Sequence, residues 1–129
     1  MAGETRIEIA IGGHVLPGVL DGSATGKALV ARLPLKLRLS RWGDEYYGSL
    51  VPALKVPVAP DAREDVAVGE LAYWLPGNAL CLFFGPTPAS TGDAPRAASP
   101  VNPAGRVTGD LSVLKKLASS VNAEVRRAG

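Results

Sequence analysis

Two adjacent carboxyls, Asp44 and Glu45, stand between Trp42 and the Tyr46-Tyr47 pair. A carboxyl buried beside aromatic rings loses the water that stabilises its charge, so its pKa rises into a range useful for chemistry. Neighbours on a strand point to opposite faces, so only one of the two readily turns toward a given site. The structural alternative is a bend whose carboxylates bind backbone N–H groups or an arginine.

Around this pair the chain offers the material of a ligand site. Trp42, Tyr47, Tyr73, Trp74, Phe83 and Phe84 are enough rings to wall a concave apolar pocket, and a β core would use large rings as well. Alternation divides them, because Tyr73 and Trp74 face opposite ways, as do Phe83 and Phe84. Thr87, Ser90 and Asn102 supply hydroxyls and an amide that can orient a ligand or satisfy turn backbone. Arg41 and Arg106 are anion clamps or ordinary ion-pair partners. The expected ligand-binding set is Arg41, Trp42, Glu45, Tyr47, Tyr73, Phe83, Phe84, Thr87 and Asn102.

Other chemistries find little support. His14, the only histidine, follows two glycines in a turn, and nothing else marks a Ser-His-Asp arrangement. One histidine and one cysteine do not make a zinc site, so neither metal nor cofactor is expected. The segment from Gly22 to Ala28 resembles a phosphate loop, but its glycines are one residue too close and Ala28 stands where a hydroxyl is required. Fourteen basic residues oppose 12 acidic ones and are spread along the chain, which argues against a nucleic-acid partner. No window approaches the roughly 18 apolar residues of a membrane span, and Met1-Ala2-Gly3-Glu4-Thr5 lacks the start of a signal peptide. A cytoplasmic protein without a membrane partner is expected. The lone Cys81 sits in the most apolar run, as a small buried side chain.

The elements that must position these residues are mostly strands. With 11 prolines, 15 glycines and no long helical periodicity, 129 residues suit one domain of short strands and turns, residues 1–129. Ile7, Ile9 and Ile11 alternate with polar neighbours, Gly12-Gly13 turns the chain, and His14–Leu20 returns with Pro17 at an edge or bulge. A helix opens after Asp21–Ser23 and ends at Pro34; Leu35, Leu37 and Leu39 mark the next strand. After a bend at Gly43, a strand is expected over Tyr46–Val51, and a short one over Val66–Val68. Leu71–Leu75 and Ala79–Phe84 are the arms of a central hairpin joined by Pro76-Gly77-Asn78. Leu80-Cys81-Leu82-Phe83-Phe84 is apolar on both faces, so this strand must be covered on both sides. Gly85–Pro100 reads as a long loop, Val101–Thr108 as a strand, Asp110 as the cap of a second helix, and Val121–Arg127 as the last strand.

This order, with RIEIAIGGHVLPGVL opening it and GRVTGDLSVLKKL near its end, resembles the cyclophilin fold. Trp42–Tyr47, Tyr73–Cys81, Phe83–Ser90 and Val101–Val107 are similar to motifs of a bacterial and archaeal family of cyclophilin-like proteins of unknown function. The resemblance implies a mainly β fold, a closed eight-stranded cyclophilin-like β-barrel capped by two helices. In the prolyl isomerases that share this fold, Arg38 would stand near the motif arginine and Phe83 or Phe84 at the aromatic position. The Gln-Gly-Gly-Asp region is replaced here by SRWGDEYY, and ASPVNPAGRV carries neither Trp nor His.

The leading expectation is a domain binding a small molecule or short extended peptide on its aromatic surface. Two alternatives stay open. One is weak peptidyl-prolyl cis/trans isomerisation. The other is amide or ring hydrolysis, alone or as a subunit like the cyclophilin-like parts of allophanate hydrolase and 5-oxoprolinase. Oligomeric state is open.

Overall fold

The computed structural model describes residues 3–129. Met1 and Ala2, which carry part of the expectation about the chain's start, lie outside the described residues. Strand β1 (Thr5–Ile11) buries Ile7, Ile9 and Ile11 and pairs antiparallel with β2 (His14–Leu20) across Gly12-Gly13. Pro17 has no N–H to give, and the second ladder of β2 accordingly begins one residue later, at Gly18 opposite Val107. The helix α1 (Ala24–Val30) starts at Ser23, whose hydroxyl accepts the Gly26 N–H at 3.0 Å. It tucks Leu29 into the core and closes with single-turn bonds to Leu33, ahead of Pro34.

The remaining strands are β3 (Leu35–Arg41), β4 (Glu45–Ser49), β5 (Arg63–Asp65), β6 (Glu70–Trp74), β7 (Ala79–Phe83), β8 (Arg96–Val107) and β9 (Ser120–Arg127). In the order β2-β1-β9-β3-β4-β7-β6-β8, with β2 also paired to β8, eight of them close into a ring. The expected closed eight-stranded β-barrel is therefore the architecture observed. Its interior holds Ile9, Leu37, Leu39, Tyr46, Leu71, Leu80 and Leu82, and the void among them is only about 10 Å³. Side chains fill the barrel, so it has no room for a ligand inside.

Several boundaries differ from expectation. The one strand outside the ring, β5, lies at Arg63–Asp65 instead of Val66–Val68, because Arg63 and Asp65 find partners on β8 while Val66 turns its side chain into a core. β4 starts at Glu45 and ends at Ser49. β8 starts at Arg96, inside the stretch expected to be loop, since its first half pairs with β5 and only its second half with the barrel. The register slips between Leu71 and Ala72 where β8 passes Pro103, the bulge a proline favours. The second cap is a 3-10 helix, Leu111–Lys116, with Asp110 accepting the Ser112 N–H. No helix among the described residues is long and apolar enough to cross a membrane.

Candidate functional site

The wall formed by β4, β7 and β6 is apolar on both faces, as the central hairpin demands. Tyr46, Leu80, Leu82 and Tyr73 point into the barrel, and the alternate residues Cys81, Phe83 and Ala72 point outward. These outward residues are nevertheless buried. The first half of β8, carried away from the barrel by its pairing with β5, lays Ala97 and Val101 over them, and Val66 completes a second apolar cluster. The cover is incomplete. A cavity of about 290 Å³ remains, lined by Trp42, Glu45, Tyr47, Trp74, Cys81, Ala97, Ala98 and Val101. Tyr47 and Ala98 are exposed at its rim, whereas Glu45 and Cys81 are buried.

Glu45 is positioned by a tight hairpin loop. Trp42 and Glu45 exchange both backbone hydrogen bonds across Gly43-Asp44, and Gly43 has φ 59°, a conformation that glycine adopts without strain. A side chain at Gly43 would also collide with the Pro88 ring and Thr87 backbone. Asp44 clamps the bend to the exit of β7: its N–H donates to Pro86 O and its carbonyl accepts the Phe84 N–H. Opposite Phe83 in the β4–β7 ladder, Glu45 is thus held on the outer face. Its neighbour Asp44 faces away and pairs with Arg41 at 2.7 Å and Lys115 at 3.8 Å.

Glu45 is 5% exposed, yet among the described residues no cation pairs with its carboxyl and no N–H or hydroxyl bonds it. Glu70, equally buried, is by contrast held by Arg63 and the Ala67 N–H. Desolvation raises the Glu45 pKa from 4.5 to about 7, a rise the neighbouring Cys81 thiol partly offsets by hydrogen bonding. Burial, and then the charge and hydrogen bonding of Glu45, push the Cys81 thiol well above its usual range. Among the described residues no fully buried side-chain nitrogen or oxygen is left without a partner, so the free lone pairs of Glu45 open on the cavity.

The structure brings Trp42, Glu45 and Tyr47 together at this cavity. Phe83 lies beneath the same outer face, fully buried in its apolar cluster. Tyr73 is inside the barrel, where its hydroxyl accepts the Leu54 N–H at 3.0 Å. Phe84 joins the main core, stacked on Tyr46 with the Arg41 guanidinium over its ring. Arg41 itself donates to Gly43 O and Lys115 O, which fixes the bend and the 3-10 helix. Thr87 is buried with its hydroxyl on Arg96 O, and Asn102 bonds Thr25, Pro57 O and the Ala59 N–H. None of these six residues, Phe83 included, lines the cavity. Trp74 does, in the outward position opposite Ala79, with its indole N–H on Ser99 Oγ at 2.6 Å. The short loop Leu75–Asn78 makes Tyr73 the partner of Leu80 and so turns Trp74 outward, a signal present in the hairpin's register.

A closed eight-stranded barrel, with a cavity on its outer wall, places the chain among proteins built on the cyclophilin plan. The Cyclophilin-like family profile matches residues 5–126, and the chain belongs to that family. The solution structure of a hypothetical protein from Archaeoglobus fulgidus is similar over 99% of this chain and 98% of that one, at 34% identity and TM-score 0.79. No curated protein sequence matches the chain.

Proposed function

We propose that this protein binds a small molecule, or one side chain of a short extended peptide, in the cavity between the barrel wall and the first half of β8. The observation that carries this reading is the Glu45 carboxyl, buried at an apolar cavity without a protein cation to balance it. A binding site commonly has this form: apolar and aromatic walls, and few polar groups that fix orientation. Burying a carboxyl in this way costs stability, which a ligand offering a hydrogen bond or charge would restore. The volume, about 290 Å³, stands at the small end of the ~300–1,000 Å³ usual for ligand pockets, so it suits a compact group. The ligand is sought in the cytoplasm, and neither nucleic acid nor membrane enters this reading.

Neither an arginine for the isomerase reading nor a histidine or reactive thiol for the hydrolase reading lines the cavity. Arg38 bonds Asn122 on the exposed face of β3, and Arg41 is committed to the Gly43 bend, so no arginine lines the cavity to polarise a prolyl imide. His14 is exposed on the first turn and does not line the cavity, and burial keeps the Cys81 thiol there protonated.

Trp42 and Trp74 are the only tryptophans of the chain, and both line the cavity. Intrinsic fluorescence therefore reports on occupancy directly. A library of small fragments is expected to contain compounds that shift or quench this emission saturably. If none does so, or if every responder acts equally on a Val101→Phe variant with the cavity filled, the reading fails.

A further inference from the structure

The cavity's charge balance points to a class of ligand, and the inference rests on the ligand-site reading above. We propose that it holds an organic cation, a substituted or methylated ammonium group, between Trp42, Tyr47 and Trp74 with Glu45 as its counter-ion.

Aromatic faces carry negative charge density and attract cations, most strongly where water is excluded. Three of the lining residues are aromatic, and Trp74 is held in place by its bond to Ser99. No lysine, arginine or histidine lines the cavity. The cations adjoining lining residues in sequence are already engaged: Arg41, next to Trp42, on Asp44, and Arg96, next to Ala97, on Glu64 and Asp65. Cys81 is a neutral thiol. The interior is thus biased negative, with one carboxyl lacking a counter-charge. Where Glu45 is ionised, above about pH 7, an anion would be repelled and a neutral guest would leave the carboxylate uncompensated. A hard inorganic cation lacks enough oxygen ligands here, and no metal-holding group of acidic, His and Cys residues occurs among the described residues. An ammonium ion clad in carbon satisfies both the rings and the carboxylate.

Choline and its neutral carbon analogue, in which a tert-butyl group replaces trimethylammonium, have the same shape and differ in charge. Their binding is read from the indole N–H signals of Trp42 and Trp74 by NMR titration at pH 8. Choline is expected to bind at least about tenfold tighter than the analogue. The isosteric Glu45→Gln variant should erase most of that preference. Equal or tighter binding of the neutral analogue would overturn the cation assignment while leaving a ligand site in place. The cation assignment is overturned in the same way if Glu45→Gln retains the preference, or if neither probe binds while uncharged fragments still occupy the cavity. Should neither these probes nor any fragment reach it, both readings fall together.

Discussion

Glu45 and Cys81 share the outer wall of the barrel, two positions apart along the β4–β7 ladder with the Tyr46–Leu82 pair between them. Glu45 is opposite Phe83, and Cys81 is opposite Tyr47, so all four project to the same side. Each group makes the other harder to ionise or slightly easier, according to sign. The thiol, whose hydrogen bond goes to Ala79 O, lowers the Glu45 pKa only in part, while the carboxylate's charge disfavours a thiolate. The pair therefore exists as a carboxyl titrating near neutrality beside an inert thiol.

This arrangement fixes how stability depends on pH. Below 4.5, Glu45 is protonated in both folded and unfolded chains and contributes nothing. Between 4.5 and about 7 the unfolded chain releases a proton that the folded chain keeps, so stability falls as pH rises. Above about 7 the full cost is present, on the order of 3 kcal/mol. Glu45→Gln should accordingly be more stable than the parent by roughly that amount at pH 8 and equal to it at pH 4. Urea unfolding at the two pH values measures it; a variant weaker than the parent at pH 8 would contradict the burial of an uncompensated carboxyl.

The thiol offers an independent reading of the same contact. In the folded protein Cys81 should resist iodoacetamide, reacting fully only after denaturation. Removing the neighbouring charge in Glu45→Gln should lower the thiol pKa and speed alkylation in mildly alkaline buffer. Rates followed by mass spectrometry against pH decide this, and an unchanged or slower rate would show that the two groups do not communicate.

Asn102 should prove structural. It is 1% exposed and holds the Pro57–Ala59 loop and Thr25 through three hydrogen bonds. Asn102→Ala strands those buried partners and should cost about 3 kcal/mol. Affinity of any cavity ligand should be unchanged in folded protein, since Asn102 does not line the cavity. A stability change under ~0.5 kcal/mol, or a lost ligand, would contradict this assignment.

Gly43 sets the angle at which Glu45 enters β4. Alanine there is strained by the positive φ and meets the Pro88 ring at 2.8 Å. Gly43→Ala should destabilise by about 2 kcal/mol and weaken binding in the cavity, because Trp42 and Glu45 flank the bend. Thermal unfolding and the tryptophan fluorescence titration report the two effects separately.

Much of the barrel was legible because its strands obey simple alternation. Ile7, Ile9 and Ile11, then Leu35, Leu37 and Leu39, are inward on alternate positions, and the central hairpin follows its Pro-Gly-Asn turn. The first half of β8 was not legible, although its second half was expected as the strand Val101–Thr108. Arg96–Pro100 has weak strand propensity, and its extended form depends on β5, a partner distant in sequence. The six-residue 3-10 helix shares its cap and apolar spacing with an α-helix, so the sequence pattern did not separate them. At the site, alternation required one of Tyr73 and Trp74 to leave the barrel but did not say which. Register decided it. Trp42, Glu45 and Tyr47 were recognisable from their crowding, whereas Arg41, Thr87 and Asn102 offer polar groups just as suited to a ligand but serve the bend and loops.

The most direct test of a ligand site at Glu45 is a crystallographic fragment soak. Hits are predicted to concentrate between Trp42 and Trp74, with a polar or charged atom on the Glu45 carboxylate. A cavity closed by the protein's own rings, or hits gathered elsewhere on the surface with this cavity vacant, would contradict a ligand site there.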